Sequence, residues 1–437
     1  MVIIRFIQSY FIQDLSYMEL KWLLLGQWLD RGFSMYAEAY DYTGPFAVFI
    51  YKYLDYVFGR SAMLHHSLNA IVIIIQAGIF NGLLIKNKAY DESNYLPAFL
   101  YMILMVCVPD FMSLSPQLLS LTFVLLALKS VLRRIDNQVK DELFLNSGLS
   151  IGIATMIYLP AAIFFFVFLF SLILFSTAVL RRVLLYFFGF ILMFALTYIY
   201  FFWTGNDAIF VNSFISQSLW MKSFEMLSFQ ETLLISASFI FILLISVVKT
   251  IGSARLTNFQ QKIQQVIWLM LLGGIGTFFL SNEDAGLELV FIIPVLAYFL
   301  THYFVLLKRR IFQFAMPFVV LGGALIYSAL TYSNWSDSLM VKKKYTAEGT
   351  MIFGSNLNYY VDSEAGSPCF NEVLSQRAFE GLNYYGNATR IYELIIKANP
   401  ALIVDEIGVA DQLFDRFPTL AKDYRKKGKN EYRRINN

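Results

Sequence analysis

Long apolar runs separated by short polar connections recur along most of the chain. A membrane-spanning helix needs roughly 20 predominantly apolar residues, and fewer where the helix is irregular. Runs of this kind predict spans at 62–85, 95–108, 117–128, 147–158, 161–180, 183–203, 232–248, 264–280, 287–306 and 311–330. The opening run, 2–12, is long enough only for a partial or irregular span. The pattern therefore indicates a polytopic α-helical membrane protein with about eleven transmembrane helices.

Lysine and arginine are distributed unevenly between the connections. If alternate connections face the cytoplasm, that side holds fourteen of these residues, and the short connections of the opposite side hold only Lys222. The cytoplasmic set is Lys86, Lys88, Lys129, Arg133, Arg134, Lys140, Arg181, Arg182, Lys249, Arg255, Lys262, Lys308, Arg309 and Arg310. Because positive residues favour the cytoplasmic side, the bias predicts a cytoplasmic N-terminus. It also places the loop 14–60 and the tail from about residue 331 outside the cytoplasm.

Composition agrees with a chain that is solvated by lipid. Charged residues make up 15% of the 437 residues, whereas a soluble domain carries about a quarter. The net charge of +3, without a basic stripe interleaved with aromatics, argues against a nucleic-acid partner. The cysteines, Cys107 and Cys369, are too few for a disulfide framework.

From about residue 342 the composition becomes that of a water-soluble domain. Met351–Phe353 and Ala401–Val404 are apolar runs bounded by Gly, Pro or Asp, which predicts two short buried strands. The spacing of apolar residues predicts a helix over 387–398. We therefore predict a transmembrane domain over 1–330 and a small extracytoplasmic α/β domain over 331–437.

The end of this tail is strongly basic over 422–429. Helical pieces are predicted at 412–417 and 420–424. The basic stretch itself is interpreted as a solvated, partly disordered terminus, because chain ends are often poorly ordered.

The first external loop, 14–60, carries the most specific pattern. An apolar helix that starts near Glu19 breaks at Arg31-Gly32. A second apolar helix, 46–58, follows Gly44-Pro45. Such helices, with charges on one face, tend to lie in the membrane interface.

The order of residues in this loop resembles the GT-C superfamily of membrane glycosyltransferases, in particular the bacterial relatives of protein mannosyltransferases and aminoarabinose transferases. The matching residues are Met18-Glu19, Gly32, Tyr36, Pro45 and Phe58-Gly59-Arg60-Ser61. The span from Gly148 to Pro160 and the tail runs 351–354 and 399–405 are similar to later parts of that family. The resemblance implies an inner-membrane enzyme that transfers a sugar from a polyprenyl-phosphate donor on the extracytoplasmic face.

The charged positions of the family pattern are replaced more often than its shape-determining positions. Met18 stands where the family has a second acid, and Tyr158-Leu159-Pro160 lacks the lysine that would face the lipid phosphate. A divergent enzyme and a non-catalytic scaffold subunit of a secretion or polysaccharide-export assembly both remain open. A transporter is disfavoured because no pair of broken spans recurs in matching halves.

Two carboxylates are predicted to be catalytic. Glycosyl transfer needs a carboxylate that deprotonates or orients the acceptor hydroxyl. Glu19 matches the acidic position of the family, although an acid there also favours a helix N-terminus. Asp110 lies near the membrane surface, where an ionisable group is costly unless it is hydrated or paired.

Four further residues of the loop are predicted to bind substrate. Arg31 and Arg60 are candidates for the lipid phosphate because a guanidinium group fits phosphate oxygens in pairs. Glu38 and Asp41 are candidates for an acceptor or a metal, and the alternative is that they are solvated turn residues.

No cofactor is assigned, although the departing phosphate leaves room for a divalent metal. The partners implied are membrane lipid, a polyprenyl-phosphate sugar and proteins of the envelope. The location implied is the bacterial inner membrane, with a periplasmic C-terminus.

Overall fold

Two compact units make up the computed structural model. The helical unit contains Met1–Gln13, Ala62–Tyr200 and Glu225–Ser338, and the mixed unit contains Asp14–Ser61, Phe201–Phe224 and Leu339–Asn437. The structure describes residues 8, 15–106, 108–135, 141–175, 180–220, 240–241, 243–248, 256–281, 285–307, 311, 315–320, 322–323, 326–327, 349–354, 356–361, 363–428 and 430–435. The predicted domain boundary at 330/331 lies outside these residues.

Helices dominate the described residues. In chain order the longer ones are α1 (Tyr17–Asp30), α2 (Pro45–Phe58), α3 (Ala62–Lys86), α4 (Leu96–Leu104), α5 (Pro116–Ile135), α6 (Glu142–Ile157), α7 (Ile163–Phe175), α8 (Leu180–Trp203), α9 (Asn258–Leu280), α10 (Ile293–Val305), α11 (Glu372–Glu380), α12 (Tyr385–Ala398), α13 (Ala410–Arg416) and α14 (Pro418–Asp423). Shorter helical turns are Pro109–Met112, Leu159–Ala162, Asp207–Phe210, Ser218–Trp220, Ala285–Glu288, Leu289–Ile292, Leu357–Tyr360 and Gly381–Asn383, and Val211–Gln217 is π-helical.

Five helices within the described part of the chain are long and apolar enough to cross a membrane. They are Ala62–Lys86, Pro116–Arg134, Leu180–Trp203, Asn258–Leu280 and Gly286–Val305. The helices Glu142–Ile157 and Leu159–Phe175 are also apolar but shorter. All seven coincide with predicted spans, and the chain is a multi-pass helical membrane protein.

Some predicted spans differ from the structure or lie beyond it. The run 95–108 forms only the nine-residue helix α4. It ends at Leu104, and the chain cannot resume a helix before Pro109, because proline disfavours helical backbone at the preceding Val108, which is extended. The runs 2–12, 232–248 and 311–330 lie wholly or partly outside the described residues, so the count of eleven remains a prediction.

Backbones approach closely where α6 meets α8. A Cβ atom added to Gly148 would overlap the main-chain oxygen of Tyr186, and one added to Gly189 would lie 2.6 Å from the oxygen of Leu145. Small residues at helix contacts permit such approach in membranes, where packing rather than water exclusion drives association. The Gly-rich stretch 148–152 is therefore explained by helix packing.

Buried polar side chains join α3, α4 and α5 inside the helical unit. The Gln76 amide donates to the Leu118 oxygen over 2.7 Å and to Thr122 Oγ1 over 2.9 Å. The Tyr101 hydroxyl donates to Gln76 Oε1 over 2.8 Å. Such bonds satisfy groups that would be costly to bury alone.

The mixed unit contains a four-stranded sheet. Its strands are β1 (Thr350–Phe353), β2 (Leu402–Asp405), β3 (Tyr424–Lys426) and β4 (Glu431–Arg434), in the spatial order β1-β2-β4-β3. The predicted strands pair in parallel, with Met351 opposite Ile403. β3 and β4 form an antiparallel hairpin, with Lys426 opposite Tyr432.

For residues 422–428, the hairpin corrects the interpretation of the basic stretch as a partly disordered end. Tyr424 and Tyr432 are buried, whereas the flanking Arg and Lys side chains are exposed. This alternation is the period of a half-buried strand. The high density of basic residues obscured it in the sequence.

We expect Gly148→Ala to destabilise the helical unit. Overpacking a tight contact costs about 1–3 kcal/mol, so the unfolding temperature in detergent should fall. Gly78→Ala is the matched control, because nothing lies within 4 Å of its added Cβ. Equal unfolding temperatures for the two variants would contradict this packing.

Candidate functional site

Helix α1 begins with a reciprocal cap that includes Glu19. The Glu19 main-chain N–H donates to Ser16 Oγ over 3.2 Å, and the Ser16 N–H donates to Glu19 Oε2 over 3.0 Å. Both bonds satisfy N–H groups that the first helical turn leaves unpaired. Glu19 therefore stabilises the helix start, and its catalytic role stays a prediction.

A buried ion pair connects α1 to the loop that follows it. Lys21 Nζ lies 3.0 Å from Asp41 Oδ1, and the two side chains are 4% and 2% exposed. The Thr43 N–H donates to Asp41 Oδ2 over 2.9 Å. Asp41 is thus a fixed, buried carboxylate and not a solvated turn residue.

Arg60 and Gln27 form the centre of a cluster that we call the first-loop clamp, defined as Gln27, Arg31 and Arg60. Arg60 Nη2 donates to Gln27 Oε1 over 2.6 Å, and its Nη1 donates to the main-chain oxygens of Tyr360 and Ser363. Gln27 Oε1 also accepts the Ala365 N–H over 2.7 Å.

Arg31, which follows the C-terminus of α1 directly, extends the clamp. Its guanidinium donates to the Ala365 oxygen. The two arginines predicted to bind phosphate therefore both hold main-chain oxygens of the C-terminal segment, those of Tyr360, Ser363 and Ala365. Their contact with a substrate phosphate stays a prediction.

Glu38 makes a second connection to the C-terminal segment. Lys397 Nζ lies 2.7 Å from Glu38 Oε2, and the Ser34 N–H donates to the same oxygen over 2.6 Å. Burial alone would raise the pKa of Glu38, but the bonds from Lys397 and Ser34 outweigh it and lower that pKa below its usual value. Glu38 is therefore held as a carboxylate in an ion pair.

Main-chain pairing completes the attachment of the loop. The Tyr40 N–H donates to the Pro368 oxygen over 2.8 Å, and the Asn371 N–H donates to the Tyr40 oxygen over 3.0 Å. Tyr40 and Cys369 thereby form an isolated parallel bridge. The loop and the C-terminal segment share one hydrogen-bonded framework.

A cavity of about 450 Å³ lies within the mixed unit. Three parts of the chain line it: the first loop, the helical segment 208–217 and the helices α11 and α12. Its lining residues are Tyr36, Ala39, Tyr40, Asp41, Ala208, Ile209, Asn212, Ser213, Gln217, Leu374, Arg377, Ala378, Asn387 and Arg390. This volume falls in the range of roughly 300–1,000 Å³ that is typical of small-molecule sites.

Of the predicted site residues, Asp41 lines this cavity, and Glu19, Arg31, Glu38 and Arg60 are absent from its lining. Asp110 belongs to the helical unit, where it is half-buried in the turn Pro109–Met112.

Arg390 is a cavity residue whose importance the sequence did not reveal, and it holds Tyr36, which the sequence matched to the family only by its place in the loop. Arg390 Nε donates to the Ala37 oxygen over 2.7 Å, and Nη2 donates to the Tyr36 oxygen over 3.1 Å. Tyr36 has a φ of 62°, which is uncommon for a bulky residue and marks local strain. The arginine therefore fixes an unfavourable turn at the cavity wall.

The Tyr36 hydroxyl is buried beside the ion pair. It donates to the Thr43 oxygen over 2.7 Å. Burial, and secondarily the charge of Asp41, raises the pKa of Tyr36 well above its usual value. The phenol therefore remains a hydrogen-bond donor at physiological pH.

Among the described residues, no group of three or more His, Cys, Asp or Glu side chains is placed to hold a metal ion.

Comparison with solved structures identifies the fold. ArnT from Cupriavidus metallidurans, bound to undecaprenyl phosphate, aligns with a TM-score of 0.54 at 10% identity, over 99% of this chain and 96% of that chain. ArnT is a GT-C glycosyltransferase. The chain has the GT-C fold, and the resemblance predicted from the first loop is confirmed at that level.

Weaker structural similarities concern the archaeal oligosaccharyltransferase AglB from Archaeoglobus fulgidus. The complex with an inhibitory peptide and a dolichol-phosphate aligns at a TM-score of 0.48 and 10% identity, over 97% of this chain and 72% of that chain. The complex with Zn and sulfate aligns at 0.47 and 12% identity, over 94% and 68%. No protein-family model and no curated protein matches the sequence.

We expect Arg60→Ala to loosen the segment 357–365, because it removes charge-assisted hydrogen bonds worth about 1.5–3 kcal/mol each. Hydrogen–deuterium exchange of that segment should accelerate. Lys52→Ala is the control, since its pair with Asp30, at 3.4 Å, is partly solvent-exposed and worth about 0–1 kcal/mol. Equal exchange in both variants would argue against the clamp.

Proposed function

We propose that this protein transfers a sugar from a polyprenyl-phosphate donor to an acceptor on the extracytoplasmic face of a bacterial inner membrane. The observation that carries the proposal is a cavity with a buried, oriented carboxylate, Asp41, in a chain with the GT-C fold. A well-formed pocket with a few convergent polar groups is the default hypothesis for a binding site or an active site.

Asp41 has the properties that acceptor activation requires. Its carboxylate is held by the Lys21 ammonium and the Thr43 N–H, so its orientation does not depend on the substrate. A positioned carboxylate accepts the proton of a hydroxyl group as the new glycosidic bond forms. The buried lysine compensates the charge that would otherwise oppose burial.

The site residues predicted from the sequence remain candidates in this proposal. Glu19 is the candidate base by its position in the loop, and Asp110 is a further candidate carboxylate. Arg31 and Arg60 are candidates for the donor phosphate, since the planar guanidinium group fits phosphate oxygens in pairs. Glu38 is a candidate contact for the acceptor.

The proposed orientation rests on the distribution of basic residues between connections. A cytoplasmic N-terminus and a periplasmic C-terminus place the whole mixed unit on the periplasmic side. Membrane lipid and a lipid-linked sugar are then the expected partners.

A non-catalytic scaffold in an envelope assembly is the second candidate. It is favoured by the engagement of Arg31, Glu38 and Arg60 with the C-terminal segment. Charged residues that form hydrogen bonds and ion pairs within the protein stabilise its structure, and this role requires no substrate. Envelope proteins are the partners expected in that case.

We expect Asp41→Asn to abolish transfer in the native host. A general base contributes about 10²–10⁴-fold to rate, so unused polyprenyl-phosphate sugar should accumulate to the level of a gene deletion. Mass spectrometry of extracted lipids measures this, with protein abundance checked by immunoblot. Glu19→Gln, assayed in parallel, decides which carboxylate is the base.

Asp423→Asn is the control, since it makes the same charge change at an exposed position outside the cavity. The absence of any change in polyprenyl-phosphate sugars on gene deletion would refute the transferase and leave the scaffold.

A further inference from the structure

We propose that the cavity of the mixed unit binds the phosphate of a polar, hydroxyl-bearing ligand, with Arg377 as its principal cationic contact. This inference deepens the proposed function and rests on it. It assigns a ligand chemistry to a residue of α11 that the sequence did not single out.

The charges around the cavity favour an anion. The charged lining residues are Arg377, Arg390 and Asp41. The Asp41 carboxylate is already compensated by Lys21 at 3.0 Å. The uncompensated charge on the lining is therefore positive, and an anionic group stabilises it.

Arg390 provides a fixed positive charge at the wall. Its Nε and Nη2 groups are used by the main-chain oxygens of Ala37 and Tyr36. Carbonyl oxygens orient the guanidinium but do not neutralise its charge. Arg390 is thus a positioning residue whose charge still acts on the cavity.

Arg377 differs from Arg390 in being uncommitted. Its side chain is exposed and lines the cavity, and no hydrogen bond or ion pair joins its guanidinium group to another residue in the described part of the chain, whereas its main-chain oxygen accepts the Gly381 N–H. A free guanidinium beside a fixed one can close on phosphate oxygens with two parallel N–H bonds. The geometry therefore assigns the phosphate contact to Arg377.

Neutral donors and acceptors complete the site. The side chains of Asn212, Gln217 and Asn387 line the same cavity. Amide groups both donate and accept, which suits the hydroxyl groups of a sugar. The volume of about 450 Å³ holds a small polar molecule rather than a long isoprenoid chain.

Two sources share this chemistry: the headgroup of a lipid-linked sugar and a soluble sugar phosphate. The experiment uses two probes to separate them, undecaprenyl phosphate and a hexose 1-phosphate. Binding is measured to the purified full-length protein in phosphate-free detergent buffer. Wild type, Arg377→Gln and Arg377→Lys are compared.

We expect Arg377→Gln to raise the dissociation constant by about 10- to 100-fold, the loss expected for charge-assisted hydrogen bonds. Arg377→Lys should bind with intermediate affinity, because it keeps the charge but loses the paired geometry. Arg425→Gln is the matched control on an exposed strand position outside the cavity, and it should bind as wild type does.

The outcomes divide clearly. Loss of hexose 1-phosphate binding in Arg377→Gln assigns a soluble ligand, and loss of undecaprenyl phosphate binding alone assigns a lipid headgroup. Binding of neither probe, or equal binding in wild type and Arg377→Gln, overturns the inference. If Asp41→Asn still abolishes transfer in that case, the proposed function survives without this phosphate site.

Discussion

The attachment of the first loop to the C-terminal segment is the constraint on which the mixed unit depends. The loop between α1 and α2 contains little regular structure, so its buried polar groups need partners outside itself. The C-terminal segment supplies them through Lys397 to Glu38 and through Arg390 to the Ala37 oxygen. The clamp adds further partners: Gln27 Oε1 accepts hydrogen bonds from Arg60 and from the Ala365 N–H of the C-terminal segment.

This attachment explains why a cavity exists where it does. Helices α11 and α12 and the segment 208–217 surround a loop that is held in a strained turn at Tyr36. Residues far apart in sequence therefore line one volume, and the Lys21–Asp41 pair beneath them remains buried. The same bonds that stabilise the loop also position the residues that line the cavity, so weakening the framework would affect both.

Features determined by local sequence were predicted well. Proline begins α2, Gly59 with a φ of 59° follows its end, and the apolar runs between polar connections become helices. These signals depend on neighbouring residues and on shape, which also explains why a GT-C resemblance is visible in the loop. The breadth of the structural similarity to ArnT agrees with that reading.

Features determined by tertiary contacts escaped prediction. Asp41 has the sequence context of a turn, and only its pairing with Lys21 makes it a buried carboxylate. Arg377 and Arg390 lie in a tail whose helices have ordinary polar faces, and nothing local places them at a cavity. Contacts between charged residues that are hundreds of positions apart, such as Lys397 and Glu38, produce no periodic pattern in the sequence.

Native mass spectrometry of the protein purified in mild detergent from its own host tests the central claim most directly. The transferase account predicts a co-purifying mass that matches a polyprenyl-phosphate sugar. A stable complex with an envelope protein, without any such lipid, would contradict that account and support the scaffold.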